Sequence, residues 1–267
     1  FEKEYPERFY DVAIAEQHSV TFAAGLSLEG LKPVVAIYST FLQRGYDQFI
    51  HDVCLENIDV TFAIDRAGIV GEDGPTHTGS FDISFMRCIP NIVISCPSNE
   101  HELWHLLNIC YEHKGPAAIR YPRGSGIGVK PMPNEIEGFE IGKAKKIKDG
   151  QSVCILNFGV LMDQIDQIAE KKNYTLYDMR FIKPIDEDAL EHAMQHETII
   201  TLEDNTLLGG CGSAVGEKLH KQKFKGNLLS IGLKDEFPAH GSRNEILRQN
   251  GLDEESIQKT IDDFLRN

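Results

Sequence analysis

The chain has 267 residues, 41% of them hydrophobic and 25% charged, with a formal net charge of −14. That length and composition suit two globular domains and exclude a disordered or low-complexity chain. The acidity repels nucleic-acid phosphates and anionic membranes, so neither is expected as a partner, and no apolar run approaches the roughly 18–20 residues a membrane helix needs.

The sequence starts at Phe1, without Met and without a signal-peptide pattern, so a fragment or processed chain is expected. Asp11-Val12-Ala13-Ile14-Ala15-Glu16-Gln17-His18 then leads into the small-residue run Ala23-Ala24-Gly25. Glu16 stands at the start of an apolar helix, where a carboxylate is costly unless paired. Two readings stay open: a helix-start acid that complements the macrodipole, or an acid that exchanges a proton with a ligand.

Short β-branched runs predict strands at Val34–Tyr38, Val60–Asp65, Asn91–Cys96 and Ala117–Tyr121, and again at Val153–Phe158, Tyr174–Asp178, Thr198–Leu202 and Leu228–Ile231. Helical stretches between them imply mainly parallel sheets, hence two consecutive three-layer α/β domains. Pro131, Pro133 and several glycines place the boundary between Gly124 and Gly142, giving domains 1–125 and 142–267 around a linker, 126–141. A last helix is predicted over about Asp253 to Leu265, with Ile257, Ile261 and Leu265 at helical spacing. Six cysteines (Cys54, Cys88, Cys96, Cys110, Cys154, Cys211) form no C-x-x-C pair and read as reduced, buried thiols of a cytosolic or organellar protein.

In open α/β sheets, functional groups collect beyond the carboxyl ends of the strands. Ser39-Thr40-Phe41-Leu42-Gln43-Arg44 follows the first strand there. Arg66 to Gly79 follows the second, and puts Arg, Glu, Asp, His and two Thr into one glycine-rich loop. A plain connector rarely needs so many hydrogen-bonding types.

Four motifs, A-E-Q-H at Ala15–His18, Y-S-T-F-L-Q-R at Tyr38–Arg44, D-R-A-G-I-V-G-E-D-G-P-T-H at Asp65–His77 and R-Y-P-R-G at Arg120–Gly124, occur in that order. G-L-K-D-E-F at Gly232–Phe237 follows, then His240-Gly241. Together they resemble the 1-deoxy-D-xylulose-5-phosphate synthase family of transketolase-like thiamine-diphosphate enzymes, over nearly the whole chain. The resemblance implies the pyrimidine-binding and C-terminal domains of that family. The G-D-G…Asn motif by which that family holds Mg²⁺ and the diphosphate does not occur in these 267 residues, so a companion chain or segment is expected to carry it.

The resemblance further implies a condensation of pyruvate with glyceraldehyde 3-phosphate by a homodimer in a bacterial cytoplasm or plastid-type organelle. It gives Glu16 a hydrogen bond to the aminopyrimidine of thiamine diphosphate and Phe41 a stacking role, with Tyr38 and Arg44 lining the same pocket. Arg66 and Arg123 match positions that grip the acceptor's phosphate. Asp73 and His77 match groups that contact substrate hydroxyls, and His18 is a candidate supporting group. A β-type subunit of a two-chain thiamine enzyme and a non-catalytic dimerisation fragment are the alternatives.

Two further patterns invite other functions. His101-Glu102-Leu103-Trp104-His105 fits the H-E-x-x-H zinc signature but lacks an evident third ligand, so it reads as an ordinary helix. Gly209 to Gly216 opens a helix after a strand but lacks G-x-G-x-x-G spacing, so it reads as tight packing.

Overall fold

The computed structural model describes residues 1–132 and 138–266. Pro133, half of the expected boundary signal, lies outside the described residues, as does part of the expected linker.

The apolar runs of the first half form β1 (Val34–Tyr38), β2 (Thr61–Asp65), β3 (Val93–Ser95) and β4 (Ala117–Arg120), paired in parallel in the order β1-β2-β4-β3. β2 and β4 are buried on both faces, which is why their central residues, Phe62 to Ile64 and Ala117 to Ile119, are apolar without alternation. Around them lie α1 (Glu16–Leu28), the short α2 (Ser39–Leu42), α3 (Tyr46–Gln48) and α4 (Asp82–Met86), and α5 (Glu100–Glu112). The Asn99 side chain caps α5 by accepting from the Glu102 N–H.

The second half contributes β5 (Lys145–Lys148), β6 (Val153–Phe158), β7 (Thr175–Asp178), β8 (Phe181–Lys183), β9 (Thr198–Thr206) and β10 (Asn227–Leu233). Its sheet runs β10-β9-β6-β7-β5, parallel except for β5 at the edge. The helices are α6 (Met162–Lys172), α7 (Glu187–Ala193), α8 (Cys211–Lys221), α9 (Arg243–Gln249) and α10 (Glu254–Arg266). On α10, Ile257 and Ile261 are buried as their spacing predicts, while Leu265 is exposed.

Eight strands fall where the sequence places them, β1 and β6 with the expected bounds and the other six with an end shifted by a residue or more. The structure adds β5 and β8. β8 does not join the sheet of its own half: it pairs antiparallel with β3, Ile94 opposite Lys183 and Ser95 opposite Phe181. One apolar core accordingly runs through both halves, from Val20 and Phe49 to Met179, Val215 and Leu219. Five of the six free thiols are buried as expected; Cys88, one residue beyond the C-cap of α4, is exposed. Among the described residues no helix is long and apolar enough to cross a membrane.

Candidate functional site

α1 begins at Glu16 without a side-chain cap, and the carboxyl is buried, 7% exposed, beside Val20. Arg44, delivered by the turn after α2, brings Nη1 to 3.0 Å from Glu16 Oε2. The pair is close enough for an ion pair, yet Oε2 has no aligned hydrogen-bond donor and stands buried and unsatisfied. Such an atom is uncommon in a folded protein.

Phe41 lies on α2, just past the end of β1. Its ring stacks on Tyr38 with centroids 5.2 Å apart and meets His77 edge-on at 5.5 Å. His77 is held by Thr76, whose Oγ1 sits 2.8 Å from Nδ1, and the Thr40 hydroxyl donates to the Thr76 carbonyl at 3.4 Å. The two motifs, some thirty residues apart in sequence, thus share one pocket wall.

Tyr38 also carries the guanidinium of Arg66 over its ring face, 3.7 Å from the centroid. Arg66 adopts a left-handed backbone, φ 57°, an unusual conformation for a residue with a Cβ. Its guanidinium is tied to Asp65 at 2.5 Å and Asp73 at 3.5 Å, so the turn is over-determined. Arg123 reaches the same Asp73 carboxylate at 3.1 Å and Glu72 at 3.5 Å. Two half-buried arginines therefore bracket one aspartate, with Asp65 and Glu72 as their further acidic partners.

The loop that carries these groups closes on itself. Gly68 and Gly79 exchange backbone hydrogen bonds of 2.8 and 2.9 Å, and a Cβ on Gly79 would stand 2.1 Å from the Arg66 carbonyl. Beneath it, Arg120 is fully buried between Asp82 (2.9 Å) and Asp204 (2.6 Å), the latter from the second half of the chain. A Cβ on Gly68 would lie 2.0 Å from an Asp204 oxygen. The loop thus sits on a buried ionic base to which both halves contribute.

Of the residues singled out from sequence, Tyr38, Phe41, His77, Arg66, Asp73 and Arg123 form one chain of contacts, and Glu16 and Arg44 form a separate pair. His18 is exposed and stacks on Phe22 at 5.6 Å. Sequence reasoning missed Asp82 and Asp204. Arg120 fell inside a recognised motif, but nothing in the order of residues told that its partners are 38 and 84 positions away.

The two decoy patterns have structural employment. Both oxygens of Glu102 are taken by Arg180, at 2.7 and 2.9 Å, so the acid of H-E-x-x-H is not free to act as a base. His101 Nδ1 accepts from the Met132 N–H at 3.2 Å, and His105 stacks on Phe139 at 4.3 Å, which fastens the segment after Arg123 to α5. At the Gly209–Gly216 turn, Glu203 accepts from the N–H groups of Cys211 and Gly212, both at 2.8 Å. An internal carboxylate therefore fills the helix start, where a phosphate would otherwise bind.

Residues 1–127 match the transketolase pyrimidine-binding domain, and residues 142–257 match the transketolase C-terminal domain. Among curated proteins, the 1-deoxy-D-xylulose-5-phosphate synthase of Idiomarina loihiensis is 53% identical over all 267 residues, and that of Mannheimia succiniciproducens is 54% identical over the same span. The chain spans 43% of the length of either relative. Among solved structures, an inactive β4 tetramer of a split-gene transketolase superposes with a TM-score of 0.88 at 27% identity, covering 98% of this chain and 86% of that one. Transketolase from Campylobacter jejuni superposes with a TM-score of 0.72 at 18% identity over 92% of this chain and 38% of its own, a likeness of fold.

Proposed function

The chain belongs to the transketolase family through its pyrimidine-binding and C-terminal domains, and from that premise we propose that it builds one side of a thiamine-diphosphate site that makes 1-deoxy-D-xylulose 5-phosphate. In that reaction the carboxyl carbon of pyruvate leaves as CO₂. A bond then forms between the keto carbon of pyruvate and the aldehyde carbon of glyceraldehyde 3-phosphate, whose oxygen takes up a proton.

The observation that carries this reading is the buried Glu16 carboxyl oxygen without a hydrogen bond. It fits the ring nitrogen of an aminopyrimidine, and the aromatic shelf of Phe41 and Tyr38 fits the flat face of that ring. The cofactor, when bound, supplies the electron sink for the pair left behind by CO₂. Glu16 keeps a proton at the ring nitrogen, with Arg44 fixing the carboxyl's orientation. Phe41 and Tyr38 exclude water from one face. His77 and Asp73 address hydroxyl and carbonyl oxygens of the substrates. Arg66 and Arg123 hold the acceptor's phosphate through forked, permanently charged donors. The diphosphate and its Mg²⁺ are assigned to a companion chain or segment, and the working unit to a dimer.

A second reading, one chain of a two-chain transketolase, is favoured by the near end-to-end likeness to the split-gene enzyme. Product analysis separates the two. With a diphosphate-binding partner, thiamine diphosphate and Mg²⁺, pyruvate plus glyceraldehyde 3-phosphate should yield CO₂ and 1-deoxy-D-xylulose 5-phosphate. Ketose-to-aldose transfer without use of pyruvate would overturn the synthase reading.

A further inference from the structure

His77 is the group assigned above to oxygens of the substrates, and a neutral imidazole has two unlike nitrogens with which to meet them. One carries an N–H donor and the other is a bare acceptor. Which of them holds the proton is set by the hydrogen bond that the other one makes. At His77 that bond is visible: the Thr76 hydroxyl lies 2.8 Å from Nδ1.

Ring and hydroxyl are both placed by the local backbone. Gly74, φ 73°, turns the chain, and a Cβ on it would meet the His240 ring at 3.2 Å. Pro75 then opens the 3₁₀ turn Pro75–His77, and the His77 N–H returns to the Gly74 carbonyl at 3.2 Å. The Thr76 carbonyl accepts from the Thr40 hydroxyl at 3.4 Å, which ties the turn to α2. Phe41, on that helix, meets the His77 ring edge-on at 5.5 Å. The branched Cβ of threonine restricts χ1, so the hydroxyl has few directions to take.

The direction of the Thr76–His77 bond follows from the task. A carbonyl oxygen of pyruvate or of the aldehyde acceptor only accepts, so a neutral His77 serves it through Nε2–H, and Nδ1 is then bare. A bare Nδ1 takes the Thr76 proton. A protonated Nδ1 would use the hydroxyl oxygen as acceptor and leave Nε2 with nothing to donate.

We propose that Thr76 is a positioning residue: its hydroxyl donates to His77 Nδ1 and holds the ring in the Nε2–H tautomer, which presents a donor to a substrate carbonyl. The inference rests on the role given above to His77 and adds to it the direction of the proton. Thr76 is exposed, so water competes for the bond, and the effect is that of one neutral hydrogen bond, severalfold in rate.

Nitrogen NMR of this chain, isotope-labelled at histidine, reads the tautomer without any turnover, and loss of signals in His77→Gln identifies the His77 resonances. At about pH 8.5, where imidazoles are in general neutral, His77 should show a bare Nδ1 and a protonated Nε2, and Thr76→Val should mix the two forms. In the assembly with a diphosphate-binding partner, thiamine diphosphate and Mg²⁺, Thr76→Val should lower kcat about five- to tenfold, with the KM for pyruvate and for glyceraldehyde 3-phosphate within about twofold. Thr76→Ser, which restores the hydroxyl, should recover at least about half of the unmodified kcat. A protonated Nδ1 in the unmodified chain, or nitrogen resonances that do not move in Thr76→Val, would overturn the assignment. So would a Thr76→Val kcat within about twofold of the unmodified protein, or a loss that Thr76→Ser does not restore. An assembly that makes no 1-deoxy-D-xylulose 5-phosphate ends the synthase reading instead, and the resonances of the chain still decide the role of Thr76.

Discussion

Arg66 combines a strained backbone, a cation–π contact with Tyr38 and two acidic neighbours, and all three point its fork at one spot. A charge-assisted contact of this kind is worth roughly 1.5–3 kcal/mol, or about 10- to 100-fold in affinity. Arg66→Ala is therefore expected to raise the apparent KM for glyceraldehyde 3-phosphate by that factor while leaving the KM for pyruvate within about twofold, as steady-state kinetics of the assembled enzyme would show. Glu16, Phe41, His77 and Arg66 were legible in the sequence because each sits in a short, ordered motif just past a strand or at a helix start. Arg243 was not. Its backbone lies against Gly71 across more than 170 residues, a contact that no local pattern announces.

The loop from Arg66 to Gly79 is rigid because of what lies under it. Gly68→Ala would drive a methyl carbon to 2.0 Å from an Asp204 carboxylate oxygen, in a backbone conformation, φ 71°, that alanine disfavours. The ion pair with Arg120 must then open or the loop must shift. A loss of about 2–4 kcal/mol is expected by denaturant unfolding. Arg120→Met, which strands Asp82 and Asp204 in the interior, should cost about 3–5 kcal/mol. The strands that the sequence hid follow the same logic. β5, Lys145–Lys148, is a lysine-bearing edge strand, so its polarity masks its pairing. The tail of β9 reads as a turn, Glu203-Asp204-Asn205, yet is fully buried because Glu203 caps α8 and Asp204 holds Arg120. β8 is three residues long and serves the sheet of the other half, a pairing that periodicity does not encode.

The two halves of the chain are joined by buried polar pairs as well as by apolar packing. Arg120–Asp204, Arg180–Glu102 and Ser98–Asp178 (2.5 Å) all cross between them. Burial, chiefly, raises the Asp178 carboxyl to about 7, with the nearby Glu102 charge adding to it and Ser98 and Arg180 opposing. An unfolded aspartate titrates near 3.9, so the folded state prefers the protonated acid. The sign follows: the stability contributed by this group is full below pH 4, is lost as pH rises towards 7, and stays lost above. Asp178→Asn should therefore become progressively more favourable relative to the unmodified chain between pH 4 and 7, by up to ~1.4 kcal/mol per pH unit, when unfolding is compared across that range. A difference that is flat with pH, or that grows on acidification, would contradict the assignment.

The same joining of halves fixes the base of the site's loop, and the Glu16 carboxyl is the group on which the proposed chemistry turns. The most direct test is the turnover of Glu16→Gln, in the assembly with a diphosphate-binding partner, thiamine diphosphate and Mg²⁺, supplied with pyruvate and glyceraldehyde 3-phosphate. Removal of a positioned proton-holding group is expected to lower 1-deoxy-D-xylulose 5-phosphate formation at least ~100-fold, with the melting temperature little changed. Turnover within a few-fold of the unmodified protein would contradict the account.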